Sequence, residues 1–288
     1  MDTKEILKKV RAIEIKTRRL SDHIFSGEYH SSFKGRGMSF SEVREYAFGD
    51  DVRGIDWNVS ARFNTPYVKV FEEERELTMV LLVDVSASES FGTRTQTKSQ
   101  MITEICAVLA FSAIKNNDKV GVLFFSDKVE KYIPPQKGKK HILRIIRELI
   151  DFKATSTGTN IAEALSYMSN MLKKKAIGFV ISDFMDETYQ KALSVAGRRH
   201  DLTAIKINDF HDRVLPDIGW AKFLDPETKE QTWVDTNSKE MQTLYKGQYD
   251  AQESYFELAC NKSGTGKIKI QTDESYVKAL LAYFKQRG

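Results

Sequence analysis

The chain has 288 residues, 41% hydrophobic and 29% charged, with a formal net charge of +4, a balance ordinary for a soluble protein of one large domain or two modest ones. That small charge demands no anionic partner, and no apolar run reaches the about 20 residues a bilayer requires. Cys106 and Cys260 lie far apart, which excludes a disulfide framework and any cysteine metal spacing. The first residues, Met1–Glu5, begin a charged helix rather than a leader, so a cytoplasmic protein is the default.

Ile6, Val10, Ile13, Thr17 and Leu20 recur at helical spacing, with Lys8, Lys9, Lys16, Arg18 and Arg19 between them. This predicts an amphipathic helix lying on the body of the protein. From His30 to Asn64 the texture turns to glycines, aromatics, arginines and aspartates. Gly35 and Gly37 lack the third glycine and the leading strand of a dinucleotide loop. Asp50, Asp51 and Asp56 alternate with Arg44, Arg53 and Arg62 around Trp57. That lattice reads either as ion pairs tying down a long loop or as a surface for a partner. Alternation then predicts a strand over Tyr67–Phe71.

Val80-Leu81-Leu82-Val83 has no polar side for water, and it ends in Asp84. It predicts a fully buried strand, with Ser86 and Ser88 in the loop beyond. Further buried strands are expected at Val120–Phe125, Ala176–Ser182 and Leu202–Ile207, and a core strand at Ile268 and Ile270. A short edge strand, Val129–Ile133, should stop at Pro134-Pro135. Amphipathic helices alternate with these strands. The fold class expected is therefore α/β, a mostly parallel sheet with helices on both faces. A hairpin, Trp220–Leu224 with Gln231–Val234, and a polar helix over 239–261 interrupt the alternation. We expect an N-terminal extension over 1–76, with its signature segment at 30–64, and a main domain over 77–288 carrying an insertion at about 213–262.

Ligands of open parallel sheets sit beyond the carboxyl ends of strands. Three loops should converge there: one with Asp84, Ser86 and Ser88, one with Thr157 and Thr159 at a helix start, and one with Asp183. Two carboxylates and several hydroxyls are hard oxygen donors, suited to Mg²⁺, and also to Mn²⁺ or Ca²⁺, rather than zinc. With only two formal negative charges the site would bind modestly and keep a position open for a carboxylate from outside.

Asp84-x-Ser86-x-Ser88, Gly158-Thr159 before a helix, and an aspartate ending a later strand resemble the metal-ion-dependent adhesion site of von Willebrand factor A domains. The resemblance implies a Rossmann-like von Willebrand factor A fold, metal contacts from Asp84, Ser86, Ser88, Thr159 and Asp183, and a last ligand from a partner's Asp or Glu. Two positions depart from the pattern: Glu89 is a candidate internal rival for the metal, and Phe184 stands where many relatives have glycine. The strings Gly-x-Gly-x-x-Phe-x-x-x-Arg-x-Tyr, Gly-Asp-Asp-x-Arg-x-Ile-Asp-Trp and Ser-Ala-Arg within 35–62 resemble the bacterial family numbered fifty-eight among the domains of unknown function. That resemblance spans nearly the whole chain. It implies a partner of the MoxR-type AAA+ ATPase class and an adaptor or co-chaperone role in protein maturation or stress response. Arg44, Asp50, Asp51, Arg53, Asp56, Trp57 and Arg62 are then the candidate partner contacts.

The rival readings are weaker. A haloacid-dehalogenase-like phosphatase would use Asp84 as nucleophile with Mg²⁺, but Ser86 stands where the general-acid carboxylate is needed. No Gly-x-Ser-x-Gly elbow and no phosphate loop occur. The lysines around Lys139 and Lys173–Lys175 are not interleaved with aromatics, so nucleic acid is not an expected partner. The expectation is a module that binds proteins, not an enzyme.

Overall fold

A computed structural model of the chain describes residues 8, 10–14, 16, 39–72, 77–90, 97–224 and 231–287. The chain divides into two units, Lys34–Leu77 and the remainder.

In the smaller unit, β1 (Ser39–Glu45) pairs antiparallel with β2 (Tyr67–Glu72), from Ser39 opposite Glu72 to Glu45 opposite Tyr67, with a register shift between Phe40 and Glu42. Between them lie a 3₁₀ turn, Val52–Gly54, and a short helix, α1 (Trp57–Phe63). The segment expected as a long loop therefore carries a strand and a helix of its own. The aspartates explain this locally. Asp51 accepts from the Arg53 amide, and Asp56 caps α1 by accepting from the amides of Asn58 and Val59.

In the larger unit the apolar run becomes β3 (Thr78–Asp84), with Met79–Leu82 wholly excluded from solvent. Chain order continues with α2 (Lys98–Lys115), β4 (Lys119–Phe125), β5 (Val129–Gln136), α3 (Lys139–Asp151), α4 (Ile161–Met171) and β6 (Ile177–Ser182). Then come α5 (Gln190–Arg199), β7 (Asp201–Asn208) and α6 (Phe210–Arg213). The hairpin β8 (Trp220–Leu224) and β9 (Gln231–Asp235) and the long helix α7 (Lys239–Ser263) precede β10 (Gly266–Gln271) and α8 (Tyr276–Arg287). The six-stranded sheet runs β10-β7-β6-β3-β4-β5, and every neighbour pair is parallel except β4–β5.

This mostly parallel sheet flanked by helices is the architecture expected of a von Willebrand factor A-like domain. Alternate strand residues feed two cores, as a side-chain period of two demands. Val80, Leu82, Leu123 and Val180 pack with Ile161, Leu165 and Met168 of α4, Leu193 of α5 and Phe256 of α7. Strand order reverses between β3 and β6, the topological switch point where open α/β sheets form their binding crevice. Asp84 and Asp183 belong to the ends of those two strands.

Three expectations are refined. The edge strand β5 continues through Pro134 and Pro135 to Gln136. Among the described residues it has a neighbour on one side only, so residues without an amide proton cost it little. The N-terminal helical residues 10–14 and 16 bury Val10 and pair Glu14 with Lys139 and Lys16 with Glu104; Ile6, Thr17 and Leu20 lie outside the described residues. Helix α7 runs on to Ser263, where Gly264 adopts the left-handed conformation that terminates it.

The β4–β5 pairing shifts register between Val120 and Val122, at Gly121. A Cβ there would lie 2.9 Å from both the Ile133 carbonyl oxygen and Pro135 Cγ. Because the first of these is backbone, a side chain requires the strands to part. Gly121→Ala should lower stability by about 1–3 kcal/mol, read as a lower urea midpoint with an unchanged slope.

Candidate metal centre

At the end of β3 the Asp84 carboxylate is bound on both sides. Its Oδ1 accepts from the Ser86 amide at 2.9 Å, and its Oδ2 accepts from Ser182 Oγ at 2.6 Å. The first bond makes the tight turn that a short acidic side chain favours after a strand. On that turn Ser86 Oγ lies 3.0 Å from Ser88 Oγ. Asp84 and Ser86 are buried and Ser88 half-buried. Burial, then the charge of Asp183, push the Asp84 acid up to about 7, against the bonds from Ser182 and Ser86 that favour its ionised form. The Glu89 side chain lies outside the described residues.

The second wall is the segment 155–160. The Ala87 amide donates to the Thr157 carbonyl at 3.2 Å, and the Asn160 amide donates to the Ser126 carbonyl at 2.8 Å. Thr159 is half-buried between these anchors, just ahead of Asn160, the N-cap of α4. Glu130 fastens the start of this segment. It accepts from the Thr155 amide at 3.0 Å, Thr155 Oγ1 at 2.7 Å, the Ser156 amide at 3.1 Å and Ser126 Oγ at 2.8 Å. Burial pushes the Glu130 carboxyl up, but its bonds from Thr155, Ser126 and Ser156 outweigh that and hold it below the usual range. A cleft of about 300 Å³ opens here, lined by Asp84, Ser86, Ala87, Thr103, Ser156 and Thr157 among others.

The third wall is the end of β6. Asp183 is almost wholly buried. Its Oδ1 accepts from the Met185 amide at 3.3 Å, and its Oδ2 lies 3.2 Å from Lys98 Nζ. Phe184, where glycine was the expected residue, has a φ of 55°. The left-handed region is costly for a bulky side chain. The ring offsets this by packing on Tyr189 and Phe256, with centroids 5.5 and 4.8 Å away, at 1% exposure. Asp186 closes the wall by accepting from the Ile161 amide at the head of α4.

The structure thus links Asp84, Ser86 and Ser88 directly by hydrogen bonds and places Asp183 at the end of the next strand. Thr159 stands in the loop bound to them. The sequence reasoning missed Ser182, Glu130, Asp186 and Lys98. Ser182 sits directly before Asp183 and was legible as a further hydroxyl at a strand end. Nothing in the sequence signals that Lys98, in a polar stretch, is 2% exposed. Among the described residues no three His, Cys, Asp or Glu side chains form a metal cluster, so any ion here relies on hydroxyls.

The residues of the Arg–Asp lattice divide by role. Arg44 holds Asp50 through two bonds of 2.8 Å, which with the Ala47 amide keeps the Asp50 acid low. Asp51 and Asp56 are the caps already described, and Lys69 pairs with Asp56 at 3.3 Å. Arg53, Arg62 and Trp57 are exposed, Trp57 at 71%, and Phe48 of the same unit is fully exposed.

The family model described as "Protein of unknown function DUF58" matches residues 42–255. The chain belongs to this family. Among curated relatives, "Uncharacterized protein Mb1516" of Mycobacterium bovis is 27% identical over 231 residues, 79% of this chain and 73% of that protein. Among solved structures, the conserved hypothetical protein BatB from Bacteroides thetaiotaomicron covers 73% of this chain and 98% of its own, with a TM-score of 0.51 at 13% identity. An aerotolerance-related membrane protein from Bacteroides fragilis covers 73% and 99%, also with a TM-score of 0.51 at 13% identity. At such identities the likeness is one of fold. In this DUF58 chain no described helix is long and apolar enough to cross a membrane.

Two outcomes follow from the walls of the site. Phe184→Gly relieves the backbone but empties a packed pocket, so the net should be a loss of about 2–4 kcal/mol in urea melts. Glu130→Gln should cost about 1–2 kcal/mol. The folded Glu130 acid is lower than in the unfolded chain, so its contribution is present above the ordinary glutamate range and lost as pH falls through the folded value. The gap between parent and Glu130→Gln should therefore narrow in melts at acid pH.

Proposed function

We propose that this chain is a non-enzymatic, metal-dependent protein-binding module, and that its partner presents an Asp or Glu to a divalent cation held at the switch point. The observation that carries this reading is the donor set: Asp84, with Ser86 Oγ and Ser88 Oγ 3.0 Å apart on the turn it organises. These are hard oxygens suited to Mg²⁺, with Mn²⁺ or Ca²⁺ as alternatives. Thr159 and Asp183 would complete the set, directly or through water. A cation there would also relieve the mutual repulsion of two buried carboxylates and return Asp84 to its ionised state.

The bound ion would supply Lewis acidity toward an incoming carboxylate. The chain's own residues do the remainder: the Ser86 amide and Ser182 hydroxyl fix the Asp84 carboxylate, and the anchored 155–160 segment holds the facing wall. The likeness of the 35–62 segment to its family supports a MoxR-type AAA+ ATPase as the partner. It also supports an adaptor or co-chaperone role in protein maturation or stress response. Trp57, Arg53 and Arg62 are exposed for such contact; Arg44 and Asp51 are exposed too but, with Asp50 and Asp56, shape their own segment.

Immobilised parent protein should retain a MoxR-type ATPase in Mg²⁺ and release it in EDTA. Asp84→Asn, which keeps the turn geometry, should retain none in either buffer while melting normally. Equal retention in EDTA by the parent would count against the metal link.

A further inference from the structure

Lys98 occupies a position that should repel it. It is the first residue of α2, where the partial positive charge of the helix N-terminus opposes an ammonium. It is also buried, at 2% exposure, where an unpaired charge is prohibitive. Two carboxylates hold it: Asp183 Oδ2 at 3.2 Å and Asp212 Oδ2 at 2.9 Å. Asp212 belongs to α6, where it also accepts from the Asp209 amide at 2.7 Å. The neighbouring Asp209 bonds Thr272 Oγ1, beyond β10, at 2.7 Å. Lys98 thus ties the end of β6 to α6 from the opposite side of Asp183 to the Met185 amide.

We infer that Lys98 is an internal cation that competes with the divalent metal for Asp183, so that the ion enters the site only by weakening the Lys98–Asp183 pair. The inference rests on the metal reading of the Asp84 site. Its physical basis is that one carboxylate oxygen cannot fully serve two cations. An ammonium at 3.2 Å offsets the negative charge that would otherwise draw a divalent ion to the β6 side. Lys98 need not leave when the metal arrives, because Asp212 remains as its counter-charge. The competition makes the site low in affinity by construction, filled when a partner's carboxylate adds its own attraction. It also makes metal occupancy felt at α6, which leads into the hairpin and α7.

The test is calorimetric titration of Mg²⁺ into the full chain, compared with Lys98→Met and with Lys98→Met/Asp212→Asn. Circular dichroism and thermal melts in EDTA accompany each titration. Lys98→Met removes the ammonium shared by the buried Asp183 and the half-buried Asp212 and should melt lower in EDTA, recovering more in Mg²⁺ than the parent does. Its Mg²⁺ affinity should rise about tenfold or more. The double variant restores the net charge of the parent and neutralises the second carboxylate, so it serves where the single variant fails to fold. It should also bind tighter, because Asp183 is still freed. Parent-like or weaker binding by folded Lys98→Met, or tightening in the single variant but not in the double, overturns the competition and leaves the metal site standing. Absence of Mg²⁺ binding from all three overturns the metal reading, and the inference falls with it.

Discussion

Two carboxylates that water scarcely reaches, Asp84 and Asp183, are held at the ends of adjacent parallel strands, and much of the surrounding structure answers to that juxtaposition. Burying one charge is expensive, and burying two of the same sign is more so. The chain meets the cost with donors placed around each group: Ser182 Oγ and the Ser86 amide for Asp84, the Met185 amide and the Lys98 ammonium for Asp183. The cost is not fully met, which is why the Asp84 acid rises to about 7. A structural pair of carboxylates would be cheaper as amides. Beside two serine hydroxyls, that uncompensated charge is what the proposed cation would offset.

The scaffold serves this pair by topology and by local restraint. Strand order reverses between β3 and β6, so the loops after these strands part and leave a crevice. Each loop is then pinned by polar bonds rather than apolar contact. The serine turn is joined to Thr157, the 155–160 segment is clamped by Glu130, and the start of α4 is held by Asp186. Phe184 is the exception. It accepts a left-handed backbone so that its ring can lock the end of β6 into the core of α5 and α7. Strain of this kind gathers at sites whose geometry must be kept.

Much of the sheet could be read from the sequence, because a buried parallel strand is an apolar run, as at Val80–Val83, Val120–Phe125 and Ile177–Ile181. Boundaries were less legible. The prolines of β5 seemed to end a strand that in fact tolerates them, since an edge has no second neighbour to satisfy. Asp84, Ser86 and Ser88 announced themselves because their contacts are local, within five positions. Lys98 and Asp212 did not. Their pairing joins a helix start to a helix that follows a different strand, and a lone lysine in a polar stretch carries no mark of burial. In the 30–64 segment the charges were legible, but not that three of its aspartates spend their oxygens on neighbouring amides.

The central claim is that the switch point holds a divalent cation on Asp84, Ser86 and Ser88. A crystal structure grown with Mn²⁺, with anomalous differences recorded at the manganese edge, tests it most directly. The account predicts one strong peak within bonding distance of Ser86 Oγ and Ser88 Oγ, with Asp84 beside it and its outer face open to solvent or to a neighbouring carboxylate. A map with no peak there, and Asp84 still bonded only to Ser182 and the Ser86 amide, would contradict it.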